Sequence, residues 1–199
     1  RFVYTEDVGG SSPSSPTICR SQGEEPAMKK TLIAILAVAA FALPAAAEVT
    51  SVSPQGFSVV HKGTIPIAPD IAYSRFTGIW TWWNPEHSFS GDAGNFRFDP
   101  SPGGCWCEAL TEGGAVKHME IVFASPGQMV VLRGGLGPLL FMGAQAAWTV
   151  SFEAAEGGGT NVTWVLNVGG YDPGNFTELS TAVDGVLGEQ FTRYITLPQ

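Results

Sequence analysis

Few side chains in this 199-residue chain could do chemistry. They are His87 in "NPEHSFSG", Glu108 at the end of "GGCWCE", His118 in "VKHME", and the pair Cys105 and Cys107. Two histidines and a carboxylate suit proton transfer, or a two-histidine, one-carboxylate metal site. A metal site needs three or four convergent ligands. The chain has no H-x-x-x-H and no C-x-x-C, so neither a metal nor a cofactor is expected. It also lacks a nucleophile elbow, a Ser/His/Asp pattern, a dinucleotide fingerprint and a P-loop.

Strand alternation orders the candidates. Cys105 and Cys107 share one face of an extended segment, and Trp106 and Glu108 share the other. If Trp106 faces a cavity, Glu108 does too, and a poorly solvated carboxylate among indoles would have a raised pKa. If the cysteines face in, Glu108 is a surface charge. On the next strand Met119, Ile121 and Phe123 form the more apolar face, which puts His118 on the opposite, exterior side. The order of preference for a polar cavity group is therefore Glu108, His87, His118. His61 lies on an apolar strand face and reads as a hydrogen-bonded core residue. Residues two apart on a strand lie about 6.5 Å apart at Cα, near the limit of bridging, so two packed thiols are expected at Cys105 and Cys107.

These residues must be held by elements that the sequence marks clearly. "AQAAWTVSFEA" and "TNVTWVLNVGG" alternate around a Gly-rich turn, which makes a β-hairpin with Trp148 and Trp164 on its dry side. From Phe176 the apolar residues Leu179, Val183, Val186, Leu187, Phe191 and Tyr194 recur three and four apart, a long helix. Asn175 and Glu178 are spaced as a capping box. Upstream, "GFSVVHKGTI" reads as a strand. "APDIAYSRFTGIW" reads as a helix with Pro69 in its first turn and Ile71, Phe76 and Ile79 on its apolar side. "WTWW" then places Trp80 and Trp83 together at the helix end and turns Trp82 away, before Asn84-Pro85 stops the helix. Strands follow at 95–99, 105–110, 116–124 and 129–134, separated by glycine or proline turns. Strands in a block with helices set apart give an α+β plan.

The N-terminal part has a different grammar. Met28, two lysines, an apolar run from Leu32 to Leu43 and Ala45–Ala47 match a secretory signal peptide. The run is shorter than the roughly 20 residues of a membrane span. The expected organisation is a non-native leader over 1–27, a signal peptide over 28–47 and a single domain over 48–199, secreted or periplasmic in a bacterium. Residues 48–199 carry 14 Asp/Glu against 6 Lys/Arg, and thus all of the net charge of −8. An acidic domain without basic clusters excludes nucleic acid as an expected partner. No stable membrane span is expected once the signal is removed.

The order of elements, with "WWNPEHSFSGDAGNF", "GGCWCE", "GGAVKHMEIVFASPGQMVVLRGGLGPL" and "VDGVLGEQFTRY", resembles the START / Bet v 1-like (SRPBCC) superfamily. In particular it resembles the bacterial polyketide cyclase/dehydrase-like and Hsp90-ATPase-activator-like proteins. The resemblance implies a helix-grip fold, a curved antiparallel sheet around the C-terminal helix with an apolar cavity between. It implies an apolar or aromatic small-molecule ligand held against Val183, Val186, Leu187 and Phe191, with Trp83, Trp106, Trp148 and Trp164 as walls. The Gly-rich apolar segment "RGGLGPLLFMGA", with Phe141, reads either as a strand connection that packs on the core or, the preferred reading, as a gate at the cavity mouth. The alternatives are a cyclase/dehydratase-type enzyme, with Glu108 and His87 as acid and base, and a co-chaperone-like domain.

Overall fold

The computed structural model describes residues 46–171 and 176–198. The chain divides into a unit of residues 1–39, outside the described residues, and a unit of residues 40–199 that carries every element below. The leader and most of the expected signal peptide, and Asn175 of the expected capping box, lie outside the described residues.

Eight strands form one curved, unclosed antiparallel sheet. They are β1 (Ala46–Ser53), β2 (Gly56–Ile65), β3 (Phe96–Phe98), β4 (Cys105–Ala109), β5 (Ala115–Ser125), β6 (Met129–Gly134), β7 (Gly143–Ala154) and β8 (Thr160–Tyr171). The order across the sheet is β1-β2-β8-β7-β6-β5-β4-β3. A meander thus runs from β3 to β8 and returns beside β2, and β1 and β3 form the edges. Helix α1 (Pro69–Thr77) links β2 to the meander, and α2 (Phe176–Thr196) ends the chain. This is the α+β plan that the periodicities predict, in the helix-grip-like arrangement that the resemblance implies. β1 is an addition: its residues overlap the small-residue end of the expected signal, and pairing with β2 (Val49 opposite Val59) makes them a strand.

The inner face of the sheet is written in the alternation. Val150 stands opposite Trp164, Trp148 opposite Leu166, and Leu132 opposite Trp148; all are buried. Trp148 and Trp164 meet edge to face at 5.0 Å, and Trp164 meets Phe191 of α2 at 4.9 Å. Each large aromatic removes about 150–250 Å² from water, on the order of 4–6 kcal/mol before entropy is subtracted. A Cβ at Gly63 would come within 3.1 Å of the Phe191 ring. Glycine on β2 is what lets α2 lie so close.

The Trp-rich corner departs from the expected helix. α1 stops at Thr77, and Ile79–Thr81 form a separate single turn. A tight turn advances three residues per revolution, not 3.6. Trp82 and Trp83 therefore point into the core, while Trp80 is half exposed. Ile71 is exposed as well, and Ala72, Tyr73 and Phe76 make the buried side of α1. Two register shifts also reshape β5, one opposite Trp106/Cys107 and one between Ile121 and Phe123. The second turns Phe123 outward, against its expected place on the apolar face.

Candidate functional site

β4 presents Trp106 and Glu108 to the interior, and both are buried. On β5, Met119 pairs with Trp106 and Lys117 with Cys107, so His118 is the extra residue of a β-bulge. A bulge re-aims a side chain, and here His118 and Met119 are buried in succession. Strict alternation would have left His118 outside. Two glycines of β6 and its exit accommodate the bulge. Gly134 sits against the His118 carbonyl where a Cβ would collide, and the Gly135 N–H donates to that carbonyl at 3.0 Å.

The bulge sets His118 beside Glu108. His118 Nε2 lies 2.9 Å from Glu108 Oε2. The loop after "NPEH" closes over the same carboxylate: Phe89 N–H donates to Oε2 at 3.1 Å, and Ser90 N–H donates to Oε1. The Phe89 ring stacks on His118, and Trp106 lies 4.9 Å from it, centroid to centroid. Burial pushes the Glu108 carboxyl up, but the hydrogen bonds from Ser90, Phe89 and His118 outweigh it and hold the group below the usual glutamate range. The expectation of a raised pKa is thus reversed, because the loop supplies donors that a bare apolar wall would lack. Burial lowers the His118 pKa, against the pull of Glu108. Near neutral pH the pair is an anionic Glu108 accepting from a neutral His118. That fixes the proton on Nε2 and leaves Nδ1 as an acceptor. Nδ1 is buried with no hydrogen-bond partner among the described residues, as is the indole N–H of Trp106.

His118 and Trp106 line a cavity of about 260 Å³ between sheet and α2. Trp83, Phe89, Leu136 and Pro138 line it too, and Val183, Val186 and Leu187 close it from α2. Most of its wall is apolar, with His118 and Trp106 as its buried polar corner. Glu108 stands behind His118, outside the lining. His87 is at the rim, its side chain 33% exposed, with Nε2 3.0 Å from Glu189 Oε2. The rim is tied to α2: Asn84 donates through its side chain to Glu189 and through its N–H to Gln190, and Arg193 donates to the Trp82 carbonyl. The Asn84 amide is the main reason that the Glu189 carboxyl lies below its ordinary range.

The structure brings together Trp83, Trp106, His118, Val183 and Leu187, with His87 at the edge. It puts Trp148, Trp164 and Phe191 in the packed core, because Trp82, Phe76 and Tyr194 fill the space in front of them. Phe141 is largely exposed and touches Phe89 edge to face, so Leu136, Gly137 and Pro138 are what the Gly-rich segment gives to the wall. Sequence reasoning missed the loop amides of Phe89 and Ser90, which no side-chain pattern encodes. The bulge had one readable sign, the Gly134-Gly135 pair. His61 is buried as expected, but its Nε2 lies 3.3 Å from Asp184 Oδ1 without a well-formed hydrogen bond. Burial keeps its pKa low. Among the described residues no three His, Cys, Asp or Glu side chains converge as metal ligands, and no helix is long and apolar enough to cross a membrane.

Cys105 and Cys107 form a disulfide, not the expected pair of thiols. Their Cα atoms are 5.5 Å apart, well inside bridging range. β4 is contracted at Trp106 relative to the extended spacing that the expectation assumed.

Solved structures share this fold. A protein of unknown function from Staphylococcus aureus matches with a TM-score of 0.51 at 15% identity, over 70% of this chain and 91% of that one. A conserved protein of unknown function from Enterococcus faecalis matches with 0.51 at 8%, over 78% and 80%. A protein from Rhizobium loti matches with 0.50 at 21%, over 72% and 99%. These likenesses bear on the fold alone. No family model matches the chain, and no curated protein does.

Proposed function

We propose that this chain is a START / Bet v 1-like (SRPBCC) domain. It holds a small apolar or aromatic molecule with one hydroxyl-like group in the cavity between sheet and α2. The observation that carries this reading is a mostly apolar cavity in whose wall His118 and Trp106 are the buried polar residues, with no hydrogen-bond partner for Nδ1 or the indole N–H among the described residues. A buried polar atom without a partner costs about 1–3 kcal/mol. Both atoms are covered, so a ligand hydroxyl reaches Nδ1 or the Trp106 N–H through a small shift of the rings over them. At about 260 Å³ the cavity is just below the usual range for drug-sized ligands, about 300–1,000 Å³, so one or two rings suit it better than a long lipid. The signal-like run over residues 28–47 supports export to the periplasm or beyond.

The Glu108–His118 pair favours a second reading, a cyclase/dehydratase-type enzyme. In it His118 Nδ1 is the general base and Glu108 orients the imidazole. His87 does not share this pair; it is engaged by Glu189 at the rim.

The test is a native mass spectrum of the full chain, expressed with its own signal and not delipidated, beside Leu187→Trp. Wild type is expected to carry an added mass, or to take up a naphthol probe, while Leu187→Trp fills the cavity and does neither. Equal binding by both would overturn the site. His118→Gln separates the readings. A carrier loses modest affinity, whereas an acid–base enzyme loses about 10²–10⁴-fold in rate on its bound compound.

A further inference from the structure

β4 has an outer face as well as an inner one. It carries the Cys105–Cys107 disulfide, partly exposed and used by nothing described so far. The register gives its two sulfurs opposite surroundings. Cys107 stands between Arg97 of β3 and Lys117 of β5. Cys105 stands opposite Glu120 of β5, and on its other side the Asp99 N–H donates to the Cys105 carbonyl. Residues directly opposite on antiparallel strands face the same way, with Cβ atoms about 4.5–5.5 Å apart. Cys107 is thus flanked by two cationic residues, and Cys105 faces one carboxylate residue, Glu120.

The cations are not equally engaged. The Arg97 guanidinium donates to the neutral carbonyls of Gly94 and Phe96, so its charge is not cancelled by a described carboxylate. Lys117 pairs with Glu120 at 2.9 Å. Asp99 is held as an anion by the backbone and side chain of Ser101. Glu108, the other charged group of β4, lies on the opposite face of the sheet, behind His118.

The geometry points to Cys105–Cys107 as a thiol–disulfide exchange site for a small dithiol, polarised so that Cys107 is the leaving sulfur. A substrate thiolate attacks Cys105 Sγ in line with the S–S bond. A new sulfur–sulfur bond forms to Cys105, the Cys105–Cys107 bond breaks, and its electron pair leaves on Cys107 as a thiolate next to Arg97 and Lys117. The second thiolate of the substrate then attacks its own sulfur in the mixed disulfide and releases Cys105, which takes up a proton. The dithiol is oxidised to a disulfide and the cysteine pair is reduced, two electrons in all. A low-pKa leaving thiol departs faster, and cationic neighbours lower a cysteine's pKa from about 8.5 to about 3.5–7.5. Glu120 beside Cys105 acts in the opposite sense.

The experiment treats the full folded chain with glutathione and maps the adduct within the tryptic peptide 98–117, which holds both cysteines and excludes Cys19. Glutathione is expected on Cys105. In the dithiothreitol-reduced protein, Cys107 is expected to react with iodoacetamide at pH 7 at least ~10-fold faster than Cys105, given a pKa gap of a unit or more. Arg97→Glu with Lys117→Glu should abolish the difference. These substitutions are on exposed positions, and the wild-type measurement needs no variant at all. Glutathione on Cys107, or equal alkylation rates in reduced wild type, would overturn the polarity. A disulfide that survives native incubation in 10-fold excess dithiothreitol would overturn the exchange site.

Discussion

Replacing Glu108 with glutamine tests the centre of the site with almost no change of shape. The carboxylate accepts three hydrogen bonds, from Phe89 N–H, Ser90 N–H and His118 Nε2. Glutamine offers one acceptor oxygen and a nitrogen that only donates. If the oxygen keeps Ser90, the nitrogen meets the Phe89 N–H and His118. His118 can adapt by moving its proton to Nδ1 and accepting at Nε2. Phe89 cannot adapt, and a stranded N–H costs about 1–3 kcal/mol. With the lost charge assistance the expected destabilisation is about 2–3 kcal/mol, or roughly 4–12 °C in Tm for a domain of this size. Calorimetry at pH 7 reads the first effect, and long-range ¹H–¹⁵N correlation of the imidazole reads the second. Wild type should show the Nε2–H tautomer and Glu108→Gln the Nδ1–H tautomer. An unchanged Tm together with an unchanged tautomer would show that the carboxylate neither holds the loop nor orients His118.

Stability should rise with pH across the acid range. His61 and His118 both have folded pKa values below the unfolded 6.5, through burial. As pH falls below 6.5 the unfolded chain takes up protons that the native chain refuses, and stability is lost down to the folded pKa. Each histidine adds up to about 1.4 kcal/mol per pH unit. Glu108, with its lowered pKa, adds a loss of the same sign at lower pH, below its unfolded value. Urea unfolding between pH 5 and 6.5 should show this slope and His118→Gln should reduce it; a flat profile would refute the buried neutral state. Gly134→Ala should cost about 2–4 kcal/mol, because its Cβ meets the His118 carbonyl across the strand pair and the backbone must shift. If Gly134→Ala matches wild type in Tm, close approach does not hold the bulge.

The fold was legible because one repeated device builds it. The alternation in β7 and β8 set Trp148 and Trp164 inward, and the spacing from Phe176 to Tyr194 set α2 over them. The site was less legible, for a geometric reason. Alternation has a period of two, so a single inserted residue inverts everything after it. His118 is such a residue, and the same rule that placed Trp106 and Glu108 inside placed His118 outside. Trp82 failed in the same way, through a turn of three residues where 3.6 was assumed. Phe89 and Ser90 act through backbone N–H groups, which every residue but proline carries, so their types hold no signal.

Both faces of β4 meet at the same point. The bulge that turns His118 inward falls between Trp106 and Cys107, the stretch of β4 that the Cys105–Cys107 bridge contracts. The inner residues Trp106 and Glu108 alternate with the outer cysteines, so the backbone between the two sulfurs is the backbone that sets the Trp106 indole against His118. Opening the bridge removes the constraint on that backbone but leaves the hydrogen bonds of Glu108 and the Gly134–His118 approach in place. If those bonds dominate, reduction leaves the His118 tautomer and the cavity unchanged and the two faces act independently. If the contraction dominates, reduction shifts the imidazole signals and weakens naphthol binding together. Glu108 has three hydrogen-bond partners on two other segments, whereas the bridge spans one residue of its own strand, so the balance falls to the bonds. Reduced protein should keep the Nε2–H signal of His118 and bind naphthol within about twofold of the oxidised form, a change below about 0.4 kcal/mol.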